Sequence, residues 1–165
     1  MPATEALPRT VGAVGLRMSR TAVEGALGPL TCHDSPDGFE VCRATDPNRG
    51  ESTLELFFVH GEVVSLAYEI PAPADVLSHL ESLTKRHGKP SLSGLTERDR
   101  DGRLHETYGW KDDKSLYSIR FVWHEEPSKP RRLGGTVVTL WDREAYGAWE
   151  RSRVRTPPAS TPKVT

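Results

Sequence analysis

Two cysteines, six histidines and a scatter of carboxylates are the residues of this 165-residue chain whose types could do chemistry. Cys32 and Cys42 are separated by Asp34-Ser35-Pro36-Asp37-Gly38. Such residues reverse a chain, so Cys42 can fold back beside Cys32. Closing a loop of this size is worth roughly 2–3 kcal/mol in the chain-entropy account. The spacing fits a disulfide and two unrelated buried thiols equally well. As a nucleophile, either sulfur needs a paired base, and none lies nearby in the sequence.

The histidines are His33, His60, His79, His87, His105 and His124. None stands at metal-ligand spacing. His79 and His87 share an expected helix but lie two turns apart, too far to hold one ion. All six are read as solvated or turn side chains, and no metal is expected. Gly134-Gly135 precedes a strand, not a helix, so it is a turn and not a phosphate cradle. No Gly-x-Ser-x-Gly elbow occurs. Asp112-Asp113 and Glu125-Glu126 fall in turns, where solvation is the default. No catalytic residue and no cofactor is therefore expected, and the chain is read as a non-enzyme.

Charge excludes further classes. Lys and Arg number 22 against 23 Asp and Glu, a net charge of -1. That leaves no global field to draw the chain onto nucleic acid or anionic lipid. The basic clusters Lys129-Pro130-Arg131-Arg132 and Arg151, Arg153, Arg155 are read as a solvated loop and as cations suiting a helix C-terminus. No stretch approaches the roughly 20 apolar residues of a membrane span. The N-terminus has no apolar h-region, so it is not a signal peptide; the protein is cytoplasmic, or Met1 is an added start on a mature exported chain. With 36% hydrophobic and 27% charged residues, folding into one domain is expected.

The elements that must position these residues follow from periodicity. Residues 1–14 read as an extended arm. Ser19 caps a short helix with Val23, Ala26 and Leu27 on one face, stopped by Gly28-Pro29. Strands are expected at Phe39–Ala44, Thr53–Val59 and Val63–Ile70, the last two joined by a His60-Gly61 turn. Pro71 to Ala74 opens a second helix carrying Val76, Leu77, Leu80 and Leu83, stopped by Gly88. Residues 91–102 read as a polar loop. Strands follow at Leu104–Trp110, Ser115–Trp123 and Thr136–Trp141, then a short helix capped by Asp142. Residues 154–165 read as a disordered tail.

The expected fold is α+β: two layers, an antiparallel sheet of about six strands, and helices on one face. It comprises two αβββ halves, 15–70 and 71–153, plus a C-terminal helix. With the helices on one face, Leu54, Leu56, Phe58, Tyr117, Ile119, Phe121, Val138 and Leu140 point into the core. Phe57 and Trp141 then point out, among Ser65, Thr107 and Arg120. Aromatics and Arg among small polar residues suit a protein-binding surface.

Met18-Ser19-Arg20-Thr21-Ala22-Val23, followed by Leu27-Gly28-Pro29, resembles the Gly-Met-Thr-x-x-x-Val … Leu-Gly-x-Pro opening of two related bacterial groups. These are the small outer-membrane-assembly lipoproteins and the β-lactamase-inhibitor proteins. The resemblance covers Leu16 to Cys42; Arg17 stands where a glycine is expected, and the second half lacks the motif and a second cysteine pair. It implies that Cys32 and Cys42 form the disulfide of the inhibitor group. It also implies a periplasmic or secreted protein that binds another protein across a sheet face. The reading is thus a non-catalytic protein-binding module, an exported accessory or inhibitor-like domain, with Phe57, Arg120 and Trp141 as binding residues. The alternative is a cytoplasmic structural or assembly subunit whose terminal segments dock on a larger complex.

Overall fold

The computed structural model describes residues 5–46 and 52–155. Among them are a two-stranded hairpin, β1 (Thr10–Val11) and β2 (Val14–Gly15), and a helix α1 (Arg20–Leu27). Four strands follow: β3 (Thr31–Asp34), β4 (Glu40–Asp46), β5 (Ser52–Val59) and β6 (Glu62–Ile70). After α2 (Val76–His87) come four more: β7 (Leu92–Arg98), β8 (Leu104–Lys111), β9 (Ser115–His124) and β10 (Arg132–Asp142). The helix α3 (Arg143–Arg155) ends the described chain. The tail expected to be disordered, residues 154–165, falls outside the described residues from 156 onward.

The large sheet has eight strands, not about six, in the order β3-β4-β5-β6-β10-β9-β8-β7, and every pairing is antiparallel. Each half is a helix followed by a four-stranded meander, αββββ and not αβββ. The two meanders join through their last strands, β6 and β10. The strands not anticipated, β3 and β7, are the two edges. Both are mostly exposed, β3 being only four residues long, so neither carries the alternation that marks a half-buried strand.

Local chemistry sets the helix ends. The Ser19 hydroxyl accepts from the Ala22 N–H at 3.1 Å, and Gly28, at φ 84°, donates its N–H to the Glu24 carbonyl at 2.8 Å. Asp75 caps α2 by accepting from the Leu77 and Ser78 N–H groups, and Gly88 closes it at φ 86°. Only glycine holds such φ values without strain. The Gly88 carbonyl in turn accepts from the indole of Trp110 at 2.9 Å, which ties the end of α2 to β8.

Helices α1 and α2 cover one face of the sheet, called the inner face below. There Val23 and Leu83 meet Leu54, Leu56, Leu66, Ile119, Phe121 and Leu140, all nearly or fully buried. The alternation of the sequence thus assigns the inner residues as expected. The N-terminal segment is not a free arm. Leu7, Val11 and Val14 are buried in this core. The Glu5 N–H donates to the Arg86 carbonyl at 2.7 Å, and the Leu7 N–H donates to Asp112 Oδ2 at 3.0 Å. Arg17 and Met18 then pair with Val63 through backbone hydrogen bonds of 2.7 and 2.9 Å.

The third helix departs from the expectation of helices on one face. α3 crosses the opposite, outer face. Trp149 stacks on Phe39 with ring centroids 4.4 Å apart and donates its indole N–H to the Asp37 carbonyl at 2.9 Å. Tyr146 lies edge-on to Trp141 at 5.1 Å. Together with Val41, Phe57 and Val64 these residues form a second, smaller core. The reason is compositional: Tyr146 and Trp149 are large apolar surfaces on a mostly polar helix, and Phe39, Phe57 and Trp141 are large aromatic surfaces on the outer face nearby.

Candidate functional site

The register fixes which outer-face residues are neighbours. Phe57, Ser65, Trp141 and Leu116 lie on one row across β5, β6, β10 and β9. Ala67, Thr139, Ser118 and Gly109 lie on the next row, across β6, β10, β9 and β8. Glu69, Val137, Arg120 and Thr107 lie on the one after that. Phe57, Arg120 and Trp141 therefore share the outer face, as the alternation predicts, with Ser65 and Thr107 beside them. Their roles differ, though. Phe57 and Trp141, 6.0 Å apart and stacked, are half-buried where α3 seats. Arg120 is exposed, two rows away.

Between these rows the surface is concave. A groove of about 780 Å³ runs over Ala67, Thr139 and Ser118. Phe57 and Trp141 form one wall, and Glu69, Val137 and Arg120 form the other. At the β4–β5 end, Arg43 and Glu55 form an ion pair at 3.4 Å. Neither Glu69 nor Arg120 has an ion pair among the described residues, and both are exposed. The groove thus presents one exposed carboxylate and one exposed guanidinium outside any ion pair of the described residues, beside an aromatic wall. A smaller hollow of about 420 Å³ lies by the β3–β4 turn, between Arg20, Phe39, Phe58 and Gly61.

The sheet's edges are poorly suited to adding a strand. β3 has four residues. β7 is broken by a register shift between Leu92 and Leu95, where Gly94 adopts φ 68°, and it carries Glu97 and Arg98. Short strands, bulges and edge charges are the usual means by which a sheet end resists pairing.

The residues considered for chemistry are mostly engaged in holding the fold. Cys32 and Cys42 are directly opposite on β3 and β4 and joined by a disulfide. Glu40 lies close to both, but sulfurs bonded to each other are not metal ligands. The Arg20 guanidinium bridges Glu24 and Glu40 and points a nitrogen at Cys32 Sγ, 3.4 Å away. His105 is not merely a solvated histidine: its Nε2 lies 2.8 Å from Asp99 Oδ2, and Arg103 binds the same carboxylate at 2.8 Å. The His105 contact, with backbone N–H groups and Arg103, holds Asp99 well below the usual carboxylate range against its desolvation. This cluster locks the β7–β8 turn. His79 and His87 are also less solvated than expected, each with its Nε2 buried beneath α2. The basic clusters are partly spent: Arg131 stacks over Trp123 at 4.3 Å, and Arg153 over Trp149 at 4.9 Å.

No protein-family model, curated protein or solved structure matches the chain.

Because Phe57 and Trp141 serve α3 as well as the groove, their truncation is expected to show in stability. Phe57→Ala and Trp141→Ala should each lose about 2–3 kcal/mol in urea unfolding, the scale of a partly buried aromatic. Arg120→Ala should stay within about 0.5 kcal/mol of the parent, as exposed substitutions do. Arg120 is thus the clean probe of the face.

Proposed function

We propose that the protein is a non-catalytic module that binds another protein through the groove on its outer sheet face. The observation that carries this reading is the groove itself. It is concave, walled by Phe57 and Trp141 on one side and by the unpaired Glu69 and Arg120 on the other. Aromatics and arginine around a small-residue floor are the composition of a recognition hot spot. Its charged groups are either paired with each other, as Arg43 and Glu55 are, or isolated.

An exported, accessory or inhibitor-like role fits the disulfide, since such bonds persist in oxidising compartments. No helix among the described residues is long and apolar enough to cross a membrane. The tandem αββββ halves and the Leu16–Cys42 resemblance favour the same reading.

The test is partner capture from an extract of the source cells by the immobilised chain. Thr139→Trp fills the groove floor, and Arg120→Glu inverts its free cation. Both variants should keep the parent unfolding midpoint and lose most of the captured partner. Undiminished capture by both would remove the groove from the function.

A further inference from the structure

The groove's dimensions and chemistry point to the kind of partner element that fills it. Resting on the reading that this face is the binding site, we infer that its occupant is an amphipathic α-helix of the partner. The helix lies across the strands and carries one acidic and one basic side chain two turns apart on the same flank.

Three observations carry this. The first is width. The row of Phe57 and Trp141 and the row of Arg120 and Glu69 are four residues apart along the strands. Between backbone rows that is about 13 Å at the rise of a β-strand, which leaves room between the wall side chains for one face of a helix whose backbone cylinder is about 5 Å across. The floor between them, Ala67, Thr139 and Ser118, has short side chains, so a cylinder can settle against it. α3 already crosses the neighbouring part of the same face in this manner.

The second is backbone satisfaction. In the interior of a sheet the main-chain N–H and C=O groups are consumed by the ladders on both sides, as they are for β6, β10 and β9. An extended segment buried on such a face would find no backbone partners and would lose its own hydration. A helix satisfies its backbone internally. The sheet edges, where an extended segment could pair, are shortened, bulged and charged.

The third is charge. Glu69 and Arg120 stand on one wall with Val137 between them, on strands β6 and β9 that flank β10. Two inter-strand spacings are about 9.6 Å. Two helical turns, seven residues, advance about 10.5 Å. A helix with a cation facing Glu69 and a carboxylate facing Arg120 therefore places them at i and i+7. Reversing the helix direction simply exchanges the two.

The test titrates synthetic 18-residue Ala/Leu helical peptides into the full chain at low salt and reads amide chemical shifts by NMR. One peptide carries Lys and Glu seven residues apart beside its Leu stripe. The controls carry Lys/Lys or Glu/Glu at those positions, and a further one has the same charges but two central prolines. The Lys/Glu peptide should shift Ala67, Thr139 and Ser118, and each like-charge control should bind about threefold more weakly, the scale of one exposed ion pair. In Arg120→Glu the preference should pass to Lys/Lys, because the wall then holds two carboxylates. Equal shifts with the proline peptide would overturn the helix while leaving the face intact as the binding site. Shifts elsewhere, or none at millimolar peptide, would also overturn it; Thr139→Trp capture decides the fate of the face separately.

Discussion

Replacing Asp142 by alanine is expected to lower stability by about 3 kcal/mol, the scale of breaking a buried, paired charge. Three elements meet on this one carboxylate, whose side chain is only 6% exposed. Arg9, from the N-terminal segment, binds one oxygen, and Arg17 approaches the other at 3.4 Å. The same carboxylate caps α3 by accepting from the Ala145 N–H at 2.8 Å. Its loss would free the first turn of α3 and undock the segment that carries Leu7, Val11 and Val14. At this chain length the change corresponds to a fall in Tm of about 6–12 °C. Asp142→Asn keeps the cap and loses the charge, so it should fall between the two.

The same residue sets part of the acid limb. Burial pushes the Asp142 carboxyl up. The hydrogen bonds from Arg9 and the Ala145 N–H, with the charges of Arg9 and Arg17, outweigh this and hold it below the usual carboxylate range. A carboxyl lowered in the folded state contributes stability that is complete above its unfolded pKa, about 3.9, and is lost as pH falls from there through the folded value. Urea midpoints measured from pH 6 downward should therefore fall less steeply in Asp142→Asn than in the parent.

Removing the disulfide is the second large effect. Cys32→Ala/Cys42→Ala should lose about 2–3 kcal/mol, the closure term for a loop of this size. β3 is a four-residue edge strand with a single neighbour, so hydrogen exchange should show β3 fraying in addition to the global loss that the slowest amides of β6 and β10 report. The bond also reports on compartment. Protein isolated under thiol-trapping conditions should carry no labelled cysteine, and its intact mass should rise by two hydrogens on reduction. Two trapped thiols in protein taken from its native setting would argue for the cytoplasmic assembly reading.

Strands buried on one face were legible in the sequence, because alternation survives there. Leu54, Leu56 and Phe58, or Tyr117, Ile119 and Phe121, announce a strand and its inner face together. The same rule put Phe57, Trp141 and Arg120 on the outer face. The edge strands were not legible. Thr31-Cys32-His33-Asp34 and Leu92-Ser93-Gly94-Leu95 pack too little on either side to impose a pattern, and their pairing comes from neighbours already in place. Nor was the site of α3. A helix of mean polar character gave no sign that Trp149 would find Phe39, more than a hundred residues earlier. Two bulges, at Val64 and Gly134, also escaped notice. At Gly134 an added Cβ would meet the His124 ring in its present position, so the constraint there is tertiary and not local. The groove follows from these long-range facts: α3 covers part of the outer face, and what remains uncovered is the concave part.

The most direct measurement of the central claim is site-specific photocrosslinking to the captured partner. A benzophenone side chain at Ser118, on the groove floor, is compared with one at Leu77, which is 78% exposed on α2 across the sheet. The account predicts a crosslinked partner from position 118 and none from position 77. Crosslinking from 77 alone, or equally from both, would contradict it.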